Sequence, residues 1–329
     1  MATHAKPLPR VTIYATGGTI AGGSTSNTDL LFYTAGSVGI DTLLDAVPEA
    51  KQYASITGEQ LLNVGSHEIR SSDLLDLSKR VNQQFSENLS DGVVITHGTD
   101  TLEETAFFLD LTVSHPQPLV VVGAMRPASA ISADGPLNLL QGVSLAASSK
   151  GRGRGTMIVL NDRIQSAFYT SKTHANTLDT FRAVEQGSLG FFLNAKPLFY
   201  FEPAHVSNKP HFDISNITSL PRVDILYSHQ DASSDLLELA IERGAKGVVI
   251  AASGGGWASP ALEAAAEDLT TEGFPVVFAT RTGNGFSIKQ AKFGIGAGLI
   301  NAQKARIILM LALASGYDQQ QISACFNTG

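Results

Sequence analysis

Short apolar runs rich in Val and Ile punctuate the chain at residues 11–15, 92–96, 119–123, 156–160, 223–227, 247–252 and 275–279. Each is too short for a typical helix, and each has the β-branched content of a strand buried on both faces. Between them, apolar residues recur at helical spacing. Leu74, Leu75, Leu77, Val81 and Phe85 make one such face, and Leu236, Leu237, Leu239, Ala240 and Ile241 another, both read here as core. Thr101-Leu102-Glu103-Glu104 fits a capping box at the start of a helix that contains residues 106–111. Strands alternating with helices predict an α/β fold with a doubly wound, mostly parallel sheet. Residues 201–221 hold Pro203, Pro210 and Pro221 with little periodicity and read as a linker. It would join a larger N-terminal α/β domain, residues 1–200, to a smaller C-terminal α/β domain, residues 222–329.

Composition narrows what such a fold could do. The chain has 329 residues, 43% hydrophobic and 16% charged, which is far from the composition of disordered segments. Its net charge of −7 leaves no broad basic field for phosphates, so nucleic acid is excluded as a main partner. The most apolar run, residues 307–314, falls well short of the roughly 18 to 20 residues that cross a bilayer, so no membrane association is expected. Near the N-terminus, His4, Lys6 and Arg10 precede a stretch interrupted by Thr16, Gly17, Gly18 and Thr19, which does not read as a signal peptide. A single cysteine, Cys325, permits neither an intrachain disulfide nor a thiolate-rich metal site. The cytoplasm is therefore the expected location. A secreted or periplasmic location would follow only if a leader had been removed, and only then would the sequons at Asn88 and Asn216 matter.

The chain contains no phosphate-binding G-x-x-x-x-G-K-[ST] loop, no EF-hand loop and no G-x-S-x-G elbow. His67-Glu68 lacks the second histidine of H-E-x-x-H, which disfavours a zinc hydrolase. What remains are two strand ends that run into glycine and threonine: Ala15-Thr16-Gly17-Gly18-Thr19-Ile20-Ala21-Gly22, and Thr96-His97-Gly98-Thr99-Asp100-Thr101. Open α/β sheets bind ligands at the carboxyl ends of their strands. Glycine there lets backbone N–H groups approach a ligand, and a following helix N-terminus favours negative charge. Lys172, in Tyr169-Thr170-Ser171-Lys172-Thr173-His174, would by itself read as a solvated loop charge.

These two motifs, with Val122-Gly123-Ala124-Met125-Arg126-Pro127 and Ser132-Ala133-Asp134-Gly135-Pro136, make the chain resemble the bacterial-type L-asparaginases, a family that includes mixed glutaminase-asparaginases. The resemblance covers nearly the whole length. It implies hydrolysis of the asparagine side-chain amide to aspartate and ammonia through a β-aspartyl ester, with threonine hydroxyls and no metal or organic cofactor. By motif match Thr19 resembles the nucleophile, and Tyr33 the tyrosine on the family's flexible lid. Thr99, Asp100 and Lys172 match its second triad, and Ser66 the residue that holds the substrate's α-carboxylate. Gly18, Gly65, His67, Gly98 and Ala124 are the further substrate-binding candidates. Family members are homodimers or homotetramers with sites completed by a neighbouring subunit, so self-association is expected.

The chemistry suits these residue types independently. An amide is a poor electrophile, so the site needs a hydroxyl nucleophile, a proton acceptor and donors aimed at the oxyanion. A tyrosine or lysine base starts about 3 units above neutral pH, so such groups must be perturbed or act as relays, and the identity of the base stays open. Two departures from the family pattern stand out. The family sets an acidic residue of the partner's C-terminal domain against the nucleophile's tyrosine, yet residues 281–300 contain no Asp or Glu. Its asparagine-bearing glycine loop here reads Ser253-Gly254-Gly255-Gly256-Trp257, with Trp257 read as interface or lid packing. His67 stands where the family usually has glutamine or glutamate near the α-ammonium. Competing readings are a mixed glutaminase-asparaginase, an ammonia-supplying subunit of a tRNA-dependent amidotransferase, and an inactive amino-acid sensor.

Overall fold

The structure, a computed structural model, describes residues 7–328, so His4 and Lys6 of the N-terminal stretch lie outside it. It divides into two units, Met1–Ala204 and His205–Gly329. In the first unit the strands are β1 (Arg10–Gly17), β2 (Ser55–Val64), β3 (Gly92–Thr96), β4 (Leu119–Val122), β5 (Thr156–Leu160), β6 (Arg163–Ser166), β7 (Ser171–Lys172), β8 (Phe181–Arg182), β9 (Gly190–Leu193) and β10 (Lys196–Phe199). Its helices are α1 (Ile40–Asp45), α2 (Ser71–Ser86), α3 (Leu102–Thr112) and α4 (Gly135–Ala146).

Side-chain alternation along the central strands decides how this unit is layered. Val93 and Ile95 of β3 join Leu77, Val81 and Phe85 of α2 and Leu102, Ala106 and Leu109 of α3 in one core. Val94, one residue out of phase, joins Leu139 and Val143 of α4 and Ile40 and Leu43 of α1 in a core on the other face. Both faces are therefore covered, and β3 is buried along its whole length. The eight-stranded sheet has the order β10-β9-β6-β5-β4-β3-β1-β2. Strands β2, β1, β3, β4 and β5 are parallel, whereas β6, β9 and β10 extend the sheet in antiparallel pairs. This is the doubly wound, mostly parallel α/β arrangement, with an antiparallel extension that the sequence reading does not contain.

The second unit has a four-stranded parallel sheet of β11 (Val223–Tyr227), β12 (Gly247–Ala252), β13 (Val276–Thr280) and β14 (Ile295–Gly296), in chain order. Helices α5 (Asp235–Glu242) and α6 (Pro260–Thr271) build a core with β12 and β13 through Leu237, Ala240, Leu262 and Ala266. Helix α7 (Ala302–Ala314) packs on β11, β12 and β13, and α8 (Gln319–Ala324) follows it. Residues 205–221 form no helix or strand but bury Phe212, Ile214 and Ile217, with the Phe212 ring 5.8 Å from that of Tyr317.

Two local expectations fail. Leu236 and Leu239 are 63% and 44% exposed rather than core, because the apolar residues of α5 span more of its circumference than the one face that meets the sheet. Thr101 precedes α3 but makes no side-chain cap; its hydroxyl donates to the Ser66 carbonyl at 2.8 Å instead. None of the described helices is long and apolar enough to cross a membrane.

Candidate active site

The site grows from the carboxyl ends of β1 and β3, where glycine is required by contact and by conformation. Gly17 and Gly18 have φ of 99° and 80°, a region in which a side chain is strained. A Cβ on Gly18 would lie 2.1 Å from Gly98 Cα, so the two strand ends pass with backbone against backbone. Gly98 in turn meets Ser66, whose Cβ would be 2.9 Å from a Cβ added there. Gly18, Gly65, Ser66, Gly98 and Ala124 are all buried, and none of them lines the cleft described below. His67 is exposed, its ring packed over Gly65, and it does not line the cleft described below.

Thr19 opens a short 3₁₀ turn, Thr19–Ala21, immediately after Gly18 and is 7% exposed. Its Oγ1 lies 2.7 Å from the Tyr33 hydroxyl. Tyr33 reaches it because Gly22 has no side chain: a Cβ there would be 2.7 Å from the tyrosine ring. The intervening segment is pinned at both ends. Gly23 and Thr34 exchange backbone hydrogen bonds of 3.1 and 3.0 Å, and the Asn27 carbonyl accepts from Ile131 N–H. At its tip the Asp29 carboxylate accepts from the Leu31 and Phe32 N–H groups, leaving Phe32 84% exposed.

The second group lies at the mouth of α3. Lys172 Nζ donates to Thr99 Oγ1 at 3.0 Å and to Asp100 Oδ1 at 2.8 Å. Thr99 is buried and the Lys172 side chain is only 15% exposed, whereas that of Asp100 is 69% exposed. One carboxylate in this neighbourhood escapes the site candidates of the sequence. Glu103, in the first turn of α3 and 4% exposed, accepts the Lys172 backbone N–H and so holds β7 against the helix. Its signal was present in the Glu103-Glu104 pair, which the sequence reading assigns to helix capping.

Supporting groups fix the loops. His97 is fully buried; its Nδ1 donates to the Gly98 carbonyl at 2.7 Å, and Nε2 accepts from Thr105 Oγ1 at 2.8 Å. Burial pushes its pKa down to about 4, which keeps the ring neutral and this donor pattern fixed. Asp134 accepts from the Met125 and Arg126 N–H groups at 3.0 and 2.9 Å, and Asn138 donates to the Gly123 carbonyl at 3.0 Å. These bonds hold the loop bearing Ala124.

Thr19, Tyr33, Thr99, Asp100 and Lys172 line one cleft of ≈ 950 Å³, together with Asp29, Asp179, Arg126 and Asn161. It carries both signs of charge, Lys172 and Arg126 against Asp29, Asp100 and Asp179. Asp179 is held below the usual carboxylate range chiefly by its hydrogen bond from Arg182. Among the described residues no group of three or more His, Cys, Asp or Glu could hold a metal ion.

Comparison with known proteins agrees along both units. The family profile described as Asparaginase, N-terminal matches residues 10–205, and that of the Glutaminase/Asparaginase C-terminal domain matches residues 222–326. The chain is 50% identical to the probable L-asparaginase 4 of Schizosaccharomyces pombe, over 97% of this chain and 90% of that protein. It is 46% identical to L-asparaginase 2 of Bacillus subtilis, over 99% and 88% of the two chains. The crystal structure of a probable cytoplasmic L-asparaginase from Campylobacter jejuni superposes with a TM-score of 0.92 at 40% identity, covering 97% of this chain and 99% of that one.

Proposed function

The chain belongs to the asparaginase family, and from that membership and the geometry of the threonine cleft we propose that it hydrolyses the side-chain amide of L-asparagine with Thr19 as nucleophile. The observation that carries this reading is the pair of buried threonine hydroxyls in one cleft, each already bonded to a group able to carry a proton: Thr19 to Tyr33, and Thr99 to Lys172.

Thr19 Oγ1 adds to the amide carbon of the side chain, and collapse of the adduct breaks the carbon–nitrogen bond. Ammonia leaves with the proton that Thr19 gives up, and a β-aspartyl ester remains. Water then cleaves the ester, yielding aspartate and restoring the Thr19 hydroxyl. Tyr33 is the group in direct contact with the nucleophile and is assigned the relay of its proton. Thr99 accepts from Lys172, so its own hydroxyl proton is left to donate into the cleft. Asp100, ion-paired with Lys172 yet mostly exposed, is assigned the substrate's α-ammonium, and Ser66, with Gly18, Gly65 and Gly98, its α-carboxylate end, a reading supported by the close packing of Gly18, Gly98 and Ser66. His67, exposed and packed over Gly65, is assigned no part in the bond-breaking steps.

Self-association into a dimer or tetramer accompanies this reading, because the resembled family completes its sites across subunits. It is supported by exposed apolar side chains in the C-terminal unit: Tyr227 at 66%, Leu236 at 63% and Trp257 at 61%. A cytoplasmic location is proposed from the Campylobacter neighbour and from a single buried cysteine that needs no oxidising compartment.

The test is ammonia release by the purified chain given L-asparagine or L-glutamine alone, with no partner protein or RNA. Release from asparagine, with a higher kcat/KM than for glutamine, is the expected result. No release would sink the hydrolase reading. Equal kcat/KM values would move the assignment to a mixed enzyme, since one methylene is worth only about 1–3 kcal/mol of discrimination in an apolar pocket.

A further inference from the structure

The cleft described above belongs to the carboxyl ends of the parallel strands. A second cleft, of ≈ 530 Å³, lies at the amino end of β5, between residues 149–154 and the residues that follow β10. The sheet brings these together. Three successive antiparallel pairings, β5 to β6, β6 to β9 and β9 to β10, bring the carboxyl end of β10 to the same end of the sheet as the amino end of β5, with two strands between them. None of the residues lining it lines the threonine cleft.

Its chemistry is unlike the rest of this acidic chain. Lys150, Arg152 and Arg154 all line it, against a single carboxylate, that of Glu202. Arg154 is built into the wall. Its Nε donates to the Lys150 carbonyl at 2.8 Å, its Nη2 donates to the Phe201 carbonyl at 3.0 Å, and its guanidinium carbon sits 3.7 Å from the centre of the Phe199 ring. Burial costs this cation hydration and lowers its pKa, and Glu202 only partly compensates. Lys150 and Arg152 are exposed at the same mouth. A partly buried cation flanked by two exposed ones, of which Arg152 also lies within electrostatic reach of Asp91, favours an anion with more than one charge.

The other wall is aromatic. Tyr200 is 62% exposed and Phe201 46%, and the Tyr200 ring is backed by Phe191 at 5.6 Å with 29° between planes. Large rings left in water beside a fixed guanidinium provide a stacking surface for a planar heterocycle. The volume falls within the roughly 300–1,000 Å³ of small-molecule sites and is far too small for a nucleic-acid channel. We propose that this cleft binds a nucleoside diphosphate, its base against Tyr200 and Phe201 and its phosphates on Lys150 and Arg152, with Arg154 as the fixed cation between them. Nothing in amide hydrolysis requires such a ligand, so the site is additional to the threonine cleft.

The test is isothermal titration calorimetry of the full chain at low salt with ADP, pyrophosphate and adenosine as probes, on wild type, Arg152→Glu and Tyr200→Ala. Both substituted side chains are exposed and lie outside the threonine cleft, so folding and asparagine turnover should match wild type. ADP should saturate the protein below about 1 mM, more tightly than either probe that carries half its chemistry. Arg152→Glu should weaken ADP and pyrophosphate together, by at least about tenfold for ADP. Tyr200→Ala should weaken ADP by about tenfold and leave pyrophosphate unchanged. No ADP binding at that concentration, or ADP binding indifferent to both substitutions, would overturn the proposal. Pyrophosphate binding as well as ADP, with no effect of Tyr200→Ala, would leave a bare phosphate site and overturn the nucleoside assignment. A smaller assembly for either variant in light scattering would show this face to be a subunit contact and likewise end the proposal.

Discussion

At the scale of single residues, the two threonines differ in what they touch, and that difference separates their expected phenotypes. Thr19 is bonded to Tyr33, and Thr99 to Lys172. Thr19→Ala removes the oxygen proposed to form the ester, so turnover should fall at least about a thousandfold with the fold intact. Tyr33→Phe keeps the ring that packs across Gly22 and deletes only the hydroxyl, so kcat should drop about 10²-fold or more with a smaller change in KM. Steady-state kinetics on both variants, with circular dichroism as the folding control, checks the assignment. A Thr19→Ala enzyme retaining a tenth of wild-type turnover would move the nucleophile elsewhere. Thr19 and Thr99 were legible because each lies in a motif of glycine and hydroxyl residues at a strand end, whereas Tyr33 and Lys172 were named only through the family resemblance. Glu103 was not, since its contact is with a backbone N–H from β7, 69 residues further along the chain, and no local spacing announces such a pairing.

At the scale of elements, legibility follows burial. The runs at 92–96, 156–160 and 247–252 became strands with those same limits because they are central, covered on both faces and therefore continuously apolar, whereas 223–227 is an edge strand, with Ile225 and Tyr227 exposed, that its β-branched and apolar content still marks. Strand β2 escaped notice because it is an edge strand with mostly exposed side chains, Ser55 to Val64, and so has no apolar face to read. The antiparallel extension also escaped, although half of its signal is local. Asn161 and Asp162, with φ of 52° and 59°, join β5 to β6 as a two-residue hairpin turn, a conformation those residue types favour. Asn194 and Ala195, at 49° and 58°, do the same between β9 and β10, where alanine gives no such hint. The junction of β1 with β3 supports a sharper expectation. Gly18→Ala places a methyl 2.1 Å from Gly98 Cα in a backbone conformation reserved for glycine, so the two strand ends must separate and carry Thr19 away from Thr99. Misplacement of about 1 Å between reacting groups costs roughly 10²-fold in rate. Asparagine turnover of Gly18→Ala should fall by that order while its far-ultraviolet spectrum stays native, and an unimpaired enzyme would show that the close approach does not position the threonines.

At the scale of the whole molecule, association and pH dependence are the measurable properties. The chain should run as a dimer or larger assembly in light scattering whether or not asparagine is present, and a fully active monomer would refute sites shared between subunits. The pH dependence can be argued from one group. His97 is completely buried, with both ring nitrogens bonded and its pKa pushed down from near 6.5 to about 4 by lost hydration. As pH falls through 6.5 the unfolded chain takes up a proton at this histidine while the native chain does not. Stability contributed by the neutral ring is therefore complete above about pH 6.5, declines on acidification, and is fully lost below about pH 4. The slope is about 1.4 kcal/mol per pH unit and the total about 3 kcal/mol. Other carboxylates titrate in the same range, so the measurement must be a difference between two proteins. His97→Gln keeps a side chain that can donate to the Gly98 carbonyl but does not titrate. Urea unfolding of both at pH 7 and pH 4.5 should show the variant less stable at pH 7, with the gap shrinking by about 2 kcal/mol or more at pH 4.5 as only wild type loses the histidine's contribution. Parallel stability curves for the two proteins would mean that His97 is protonated equally in the native and unfolded chains, and that its burial as a neutral ring bonded to the Gly98 carbonyl does not set the acid sensitivity.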